Sequence, residues 1–496
     1  MKPSVSFFCN LKNLLIITTF FIVSSFALAQ GSHRVKKGET VTSEGGELII
    51  TAIDQRRAYG SGETKDPDVQ SPKSATFSRD GKKVYINSLE GGKTVVYDVA
   101  TRKKLKVIEH KFDSGQGPMW LKPSGFYQFT HYADGATRSF MGKPVEEAFT
   151  PDGRYLFVPY YRRSFDINAQ DPSALAVIDT QKDEIVKLVE TGPLPKMVRV
   201  SHDGKLLAIT HWGDNTVGLL DISDKNPDNW KHLPPITIGK KLNLNYSLSS
   251  PVNRDTGSGF LLRGTVFLPG DSLLLVSGMA GPLNVIDVKR MEWIGTFPGL
   301  SNVRHLTLQG DMLYMSRNSA GEVMTIPVEN ILNAIKAGGR SFSAQGVKRV
   351  KVGGGARTVK VSPSGKYIFV ACNSASALYV VRASDMKVIA NITADSFPVG
   401  LDVSPDGKYV VTTSQGRKGQ GGGNAVDFFE IQYRDPEPLP PVIKEESELP
   451  QPEEAVKQNN DKEKTEGFPA GVWVCVGLAV VALLATLVYF VLKKRK

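Results

Sequence analysis

The stretch that decides the fold is Pro398–Gln415, PVGLDVSPDGKYVVTTSQ, in which two short apolar runs flank the turn Ser-Pro-Asp-Gly-Lys. In such a turn, proline fixes φ, aspartate bonds to nearby backbone, and glycine adopts the positive φ that closes a hairpin. The flanking residues are β-branched or aromatic and alternate with the period of a strand. The stretch therefore predicts two antiparallel strands joined by a tight turn.

The same pattern occurs seven times along the 496 residues. Most copies are followed by a third apolar run, a turn and a fourth run, as in LYVVRASDMKVIANI at 378–392. Four strands per unit, at a period of about 40 to 45 residues, predict propeller blades that bury their faces by stacking in a ring. An open β-solenoid is the alternative. The turns begin at Ser78, Thr150, Ser201, Leu268, Leu308, Ser362 and Ser404.

The second strands contain the phrases VYIN, LAIT and YVVT, which resemble the repeats of the YVTN, or YncE-like, β-propellers. The resemblance extends over about residues 45–434 and implies the propeller fold. It implies little about activity, because the shared motif consists of turn and core residues. The copies at Leu268 and Leu308 depart from the motif, since Gly-Asp replaces Asp-Gly there.

The N-terminal run Leu48–Ile53 has the pattern of a fourth strand, which the last repeat lacks because the chain leaves it after Ala425–Ile431. We therefore predict that this strand completes the seventh blade and removes two exposed sheet edges. An unpaired N-terminal arm is the alternative. The predicted fold class is all-β, a seven-bladed β-propeller at 30–434 with one C-terminal transmembrane helix.

The segments outside the repeats predict a membrane-anchored protein. Residues 1–29 have two lysines, an apolar run and a final Ala-Leu-Ala, as in a signal peptide. Residues 435–467 are acidic and proline-rich, which predicts a disordered stalk. Residues 468–492 carry no charge and are long enough for a transmembrane helix, and 493–496 form a basic cytoplasmic tail. The propeller would then lie on the periplasmic or extracellular side.

Three long spacings between repeats predict insertions. Those at 110–143 and 228–262 lie between the last strand of one blade and the first strand of the next, on the face where the innermost strands begin. We expect them to form lids over that face. The third, at Pro327–Gly346, contains the helical phrase ENILNAIKAG and lies on the opposite face.

Charge and cysteine content limit the possible partners and the redox chemistry. The net charge is +11, and without the leader, stalk and tail the segment 30–434 still carries +11. This favours an anionic partner such as an acidic polysaccharide, lipid head groups, nucleic acid or an acidic protein. A dispersed basic surface without a partner is the alternative. Cys372 is the only cysteine in 30–434, so we expect no intrachain disulfide there.

The residue five positions before each turn is basic in four of the seven copies. If these side chains ring the channel mouth, they could hold a carboxylate, sulfate or phosphate. Alternatively, they point between blades and pair with the aspartates that end third strands, Asp98, Asp179, Asp221 and Asp287. In chain order, the residues at this position are Lys73, Val145, Lys196, Arg263, Val303, Arg357 and Val399, and Glu146 and Arg304 lie one position later.

Loops after the second strands add aromatic and basic residues that suit stacking on sugars or bases. Packing of these aromatics onto the ring is the alternative. The first insertion contributes Trp120, Phe126, Tyr127, Phe129, His131 and Tyr132. The predicted ligand-binding residues are Lys73, Glu146, Arg162, Lys196, His211, Trp212, Arg263, Arg304 and Arg357.

No metal or cofactor is predicted, because His131, His211 and His305 accompany no metal-binding motif. The predicted function is a binding or scaffold module for an anionic or acidic partner, which could be a glycan, a protein or nucleic acid. One alternative is a lactonase-like hydrolase with its active site in the channel, for which Glu146 is the only acid placed there. Another is a structural component of a surface layer.

Overall fold

The computed structural model describes residues 35–127, 139–243, 253–417 and 421–435. These residues form seven antiparallel sheets, and the innermost strands of consecutive sheets lie beside one another in a ring. In chain order the strands are β1 (Thr40–Thr42), β2 (Leu48–Arg57), β3 (Pro72–Phe77), β4 (Lys83–Ser88), β5 (Lys93–Asp98), β6 (Lys104–Glu109), β7 (Lys111–Phe112), β8 (Phe140–Pro144), β9 (Ala148–Phe149), β10 (Tyr155–Arg163), β11 (Pro172–Asp179), β12 (Glu184–Pro193), β13 (Pro195–Val200), β14 (Leu206–His211), β15 (Thr216–Asp221), β16 (Lys231–Thr237), β17 (Leu262–Phe267), β18 (Leu273–Gly278), β19 (Pro282–Asp287), β20 (Glu292–Ser301), β21 (Val303–Gln309), β22 (Met312–Arg317), β23 (Glu322–Pro327), β24 (Lys348–Lys351), β25 (Ala356–Val361), β26 (Tyr367–Cys372), β27 (Ala377–Arg382), β28 (Lys387–Thr393), β29 (Pro398–Val403), β30 (Tyr409–Ser414) and β31 (Ala425–Tyr433).

The seven sheets are the blades of a β-propeller. Blades 1, 3, 4, 5 and 6 are simple meanders, β3 to β6, β13 to β16, β17 to β20, β21 to β24 and β25 to β28. In blade 2, β8 and β9 share the innermost position beside β10, followed outward by β11 and β12. The predicted seven-bladed ring is confirmed.

The residues of each turn form hydrogen bonds with one another, as the sequence predicts. Ser78 donates its hydroxyl to Asp80 at 2.6 Å and accepts from the backbone N–H of Lys83 at 2.9 Å, while Gly81 has a φ of 71°. Ser404 and Asp406 make the same 2.6 Å bond in the last repeat. Because each hairpin is closed by its own residues, the repeat produces a blade wherever it occurs.

The N-terminal strand closes the ring. β2 pairs antiparallel with β31 along its whole length, from Leu48 opposite Tyr433 to Arg57 opposite Ala425, and β1 adds a further strand outside it. Leu48 and Ile50 are fully buried in the apolar core shared with blade 6. The predicted closing strand is therefore confirmed, and it extends four residues beyond the predicted end at Ile53.

The two lid insertions are shorter and differently placed than expected. The segment 228–262 begins with β16, the outermost strand of blade 3, so the connection starts only after Thr237. The strand sequence KHLPPIT contains two prolines, which are tolerated because an outermost strand has a free edge.

The described part of the first insertion belongs largely to blade 2. Its strands β7 and β8 pair with each other, and β8 pairs with β10. The following residues run along the outer strand β12, where the backbone N–H of Leu121 donates to the carbonyl of Leu188 at 2.8 Å. The expectation of a lid over the channel is wrong for these residues, and Phe129, His131 and Tyr132 lie outside the described residues.

The third insertion forms one helix, α1 (Val328–Lys336), between the third and fourth strands of blade 5, as predicted. Val328 and Ile331 are buried against that blade.

In the residues that the structure describes, no helix is both long and apolar enough to cross a bilayer. The predicted signal peptide, transmembrane helix and basic tail, and all but the first residue of the stalk, lie outside these residues. Cys372 is a buried free thiol.

Candidate anion-binding site at the channel entrance

The innermost strands carry a β-bulge near their start. In blade 3, Pro195 pairs with His211 whereas Met197 pairs with Thr210, which leaves Lys196 as the extra residue. The registers of blades 5 and 6 shift in the same way, at Arg304 and Arg357. A bulge turns a side chain out of the regular alternation, and bulges of this kind commonly occur beside binding sites. Here they aim one side chain per blade toward the channel.

Hydroxyl groups of neighbouring blades fix these bulges. In five blades, the carbonyl of the bulge residue accepts a hydrogen bond from a serine or threonine of the preceding blade at 2.6 to 3.1 Å. The accepting residues are Val145, Arg263, Arg357, Val399 and Lys73. The repeated bond shows that these positions are equivalent around the ring.

The structure corrects one of the seven positions predicted by counting five residues back from each turn. Val303 was expected there, but the register makes Arg304 the bulge residue. The cause is a tighter hairpin, because Gln309 still pairs with Met312 and only two residues remain for the turn. Five of the seven bulge positions are therefore basic, Lys73, Lys196, Arg263, Arg304 and Arg357, and we call them the cation ring.

The cation ring is buried and its charges act on one another. Arg263 and Arg357 are 3% and 4% exposed, and Lys73 and Lys196 are each 8% exposed. Burial holds the pKa of Lys73 well below its usual range, and the charges of Arg357 and Arg263 lower it further. The pKa of Lys196 is lowered well below its usual range by burial and by three arginines of the ring, Arg263, Arg304 and Arg357. The five side chains thus converge on one region.

Only two carboxylates contact the ring in the described residues. An Nη of Arg263 donates to Oε1 of Glu146 at 2.9 Å, and Lys196 Nζ lies 3.6 Å from Asp255. The aspartates that could have paired with the ring bind elsewhere. Asp179 pairs with Arg154 at 2.6 Å, and Asp98, Asp221 and Asp287 accept from their own turns.

Three members of the ring, Lys73, Arg304 and Arg357, lack a partner among the described residues. The guanidinium groups of Arg304 and Arg357 meet no acceptor among the described residues, and the Nε of each is fully buried. Burial, with repulsion from Arg263, lowers the pKa of Arg304 to about 9, so this side chain remains charged at neutral pH. An unpaired buried charge destabilises a protein, and an anion at this point would remove that cost.

Lys196 lies between two aromatic rings. Its Nζ is 3.9 Å from the ring centre of Tyr161 and 4.7 Å from that of Trp212. The indole Nε1 of Trp212 donates to the carbonyl of Arg254 at 3.1 Å, and the hydroxyl of Tyr161 donates to Asp255. The described end of the second insertion therefore covers Lys196, which is part of the lid role predicted for it.

The remaining predicted residues lie away from the ring. Arg162 donates to the carbonyl of Ile167 and stacks on Tyr161, with its guanidinium carbon 5.4 Å from the ring centre. His211 is buried inside blade 3, where Nδ1 lies 2.8 Å from the Thr216 hydroxyl and Nε2 accepts from the Gly192 N–H. Burial lowers the pKa of His211 to about 3, so it is neutral. The structure therefore does not bring His211 to the channel, contrary to expectation.

The aromatic side chains of the first insertion mostly pack against the propeller blades. Trp120 lies 6.2 Å from Phe140 and Tyr127 lies 5.7 Å from His211, measured between ring centres. Phe126 is 38% exposed. His305 lines the channel and is neutral, because burial lowers its pKa well below the usual range. Across the described ranges, no group of three or more His, Cys, Asp or Glu side chains is placed to hold a metal ion.

Sequence reasoning missed two acids in the channel wall, Glu147 and Asp402. The repeat itself marks Glu147 as unusual. Glu147 lies two residues beyond the bulge, and in the other blades this position holds small or aliphatic residues apart from one threonine. These are Ala75, Val198, Thr265, Leu306, Val359 and Leu401.

Comparison with known proteins yields structural likeness only. No protein-family model and no curated protein sequence matches the chain. Among solved structures, hydrazine synthase of Kuenenia stuttgartiensis is similar at 15% identity and a TM-score of 0.49, over 76% of this chain and 99% of that one. The β-propeller domain of Myceliophteria thermophila Cps50 (Swd1) is similar at 14% identity and a TM-score of 0.49, over 73% of this chain and 98% of that one. Neither likeness carries an argument about activity.

Proposed function

We propose that this protein is a binding module that holds an anionic group of its partner in the cation ring. The observation that carries the proposal is the convergence of five basic side chains on the channel entrance, three of them without an acceptor among the described residues. A carboxylate, sulfate or phosphate would accept charge-assisted hydrogen bonds from these side chains. The ring is buried, so an acidic group must project into it rather than lie flat across it.

The partner that fits these features best is an acidic polysaccharide. Tyr161 and Trp212 flank Lys196, and aromatic rings beside cations suit the faces of sugars. The +11 charge of residues 30–434 would attract a polyanion over a longer range. If an acidic protein or single-stranded nucleic acid is the partner, the binding test will show tighter binding of that class. The turn and strand phrases also support our proposal of a relationship to the YVTN-repeat propellers.

We propose that the propeller is displayed outside the cytoplasm on a single-pass anchor. The leader at 1–29, the acidic stalk at 435–467, the uncharged run at 468–492 and the basic end at 493–496 support this arrangement. Added protease should then remove the propeller from intact cells, or from spheroplasts of a two-membrane bacterium, and leave a small membrane-bound fragment. Complete protection of the propeller until the membrane is lysed would refute this topology.

The binding proposal is tested by comparing two triple variants of equal charge. Lys73→Gln, Lys196→Gln and Arg357→Gln neutralise three ring positions without leaving Glu146 unpaired. We expect affinity for a heparin oligosaccharide to fall about 100-fold or more, because each charge-assisted hydrogen bond contributes about 1.5 to 3 kcal/mol.

The matched control is Lys205→Gln, Arg290→Gln and Lys408→Gln, at side chains that are 64% to 66% exposed beside acidic residues on the hairpin face. It removes the same charge from the protein but leaves the ring intact. Its affinity should fall only by the amount expected from long-range attraction, and more salt should reduce that difference. Equal losses in the two triple variants would mean that only net charge matters, and the ring would have no binding role. A DNA oligonucleotide and an acidic peptide, titrated in parallel, identify the partner class.

A further inference from the structure

The channel has a second open end, opposite the cation ring. A cavity of about 840 Å³ lies there between the ends of the innermost strands and the hairpins that follow them. Its wall includes hairpin residues such as Ser78, Pro151, Ser201, Pro363 and Pro405, which places it on the hairpin face. This volume lies within the range of about 300 to 1,000 Å³ that is usual for small-molecule sites.

Two guanidinium groups in the cavity wall have spare donors. Arg199 makes one long hydrogen bond, from Nε to the carbonyl of Thr265 at 3.4 Å, and Arg79 makes none with the described residues. The charge of Arg79 contributes to lowering the pKa of Arg199, after burial, so the two groups are near each other. Lys360, in contrast, is neutralised by Asp402 at 2.8 Å. The cavity therefore has an excess of positive charge at one side.

Two neutral polar groups in the same wall also lack partners. The hydroxyl groups of Thr76 and Ser74 lie near the Glu147 carboxyl and act to lower its pKa, but neither makes a hydrogen bond of good geometry with it. Nδ1 of His305 has no partner among the described residues. Both carboxyl oxygens and this Nδ1 are fully buried beneath the surface of the wall. Burial raises the pKa of Glu147 well above its usual range, so this carboxyl keeps its proton and can donate. Buried polar atoms without partners are rare in proteins, and a bound molecule is one reason for them.

We propose that this cavity binds a small organic anion. Arg199 and Arg79 would hold its carboxylate or phosphate group. The Arg263–Glu146 ion pair lies between this cavity and the rest of the cation ring, since Glu146 lines the cavity and Arg263 belongs to the ring. The cavity would use Arg79 and Arg199, which do not belong to the cation ring, so this proposal does not depend on the function proposed for the ring.

The test is a calorimetric titration of the purified protein with three probes, which are glucose 6-phosphate, gluconate and inorganic phosphate. We expect saturable binding of at least one sugar-derived probe, and weaker binding of inorganic phosphate because it fills much less of the cavity. Arg199→Gln and Arg79→Gln should each weaken that binding about tenfold or more. Arg79 is exposed, so its variant keeps the fold even if Arg199→Gln does not.

Two control variants make the result specific. Arg290→Gln removes an exposed charge from the same face and should leave the affinity unchanged. The triple variant of the cation ring should also bind the probes as the natural protein does, which separates a failure here from a failure of the proposed function. No saturable binding of any probe, or binding that Arg199→Gln and Arg79→Gln leave unaffected, would overturn the proposal.

Discussion

Replacing Arg304 and Arg357 by glutamine is expected to stabilise the protein in the absence of ligand. Neither guanidinium group has an acceptor among the described residues, and the Nε of each is fully buried. An arginine side chain keeps its charge in proteins. An uncompensated buried charge costs about 3 to 5 kcal/mol, and the loss of packing by the arginine stem offsets part of the gain. We expect the double variant to gain about 3 kcal/mol, measured as the free energy of unfolding in denaturant at low salt.

The same variant should lose its response to anions. Sulfate at high concentration should raise the melting temperature of the natural protein, because binding to the folded state alone shifts the equilibrium. The double variant should gain much less than a control with Lys205→Gln and Arg290→Gln, which lie on the hairpin face. A double variant that is less stable than the natural protein, and that still responds fully to sulfate, would show that these arginines have a structural role only.

Replacing Glu147 by leucine is expected to stabilise the protein by about 2 kcal/mol near pH 8, because a buried polar group without partners is removed. The equivalent positions of the other blades support this choice, since Leu306 and Leu401 occupy two of them without exposure above 2%. Thermal or denaturant unfolding measures the gain.

The gain at Glu147 should depend on pH. Its folded-state pKa lies above the ordinary value of 4.5, so the unfolded chain loses this proton first as pH rises. The natural protein therefore loses stability from Glu147 as pH increases above about 4.5, up to the folded-state pKa. The difference between Glu147→Gln and the natural protein should be small at acid pH and grow above it. Glu184→Gln, at an exposed carboxyl, should show no such trend, and a flat difference for Glu147→Gln would contradict a buried ionisable role.

The fold was largely predictable because its information is local. Each Ser-x-Asp-Gly-Lys turn bonds within itself, as Ser78 and Asp80 do, so the repeat count gives the blade count. The closing strand was predictable because one repeat lacks a strand that the N-terminus can provide. The errors arose where the place of a segment in the fold matters more than its amino-acid composition. The prolines of β16 are tolerated by its outer edge, and the described part of the first insertion joins blade 2 instead of crossing the channel.

The site was predictable only in its first layer. A fixed count back from the turn found four of the five ring cations and placed the fifth, Arg304, one position too late, because the hairpin of blade 5 is shorter. The deeper groups were not found. Arg199 lies three residues beyond the bulge of its strand. The equivalent residues of five other blades also line the cavity, so the same count would have found Arg199. These residues are Thr76, Ala148, Val266, Lys360 and Asp402. His211 illustrates the converse, because a histidine at a loop end can have both ring nitrogens engaged inside a blade.

The most direct test of the central claim is to locate an anion in crystals of the protein by anomalous diffraction from selenate, a sulfate analogue. The account predicts a selenium peak within hydrogen-bonding distance of the guanidinium groups of Arg304 and Arg357, and no such peak in the double glutamine variant. Selenate bound only at exposed lysines and arginines of the outer surface, with the channel entrance empty, would contradict it.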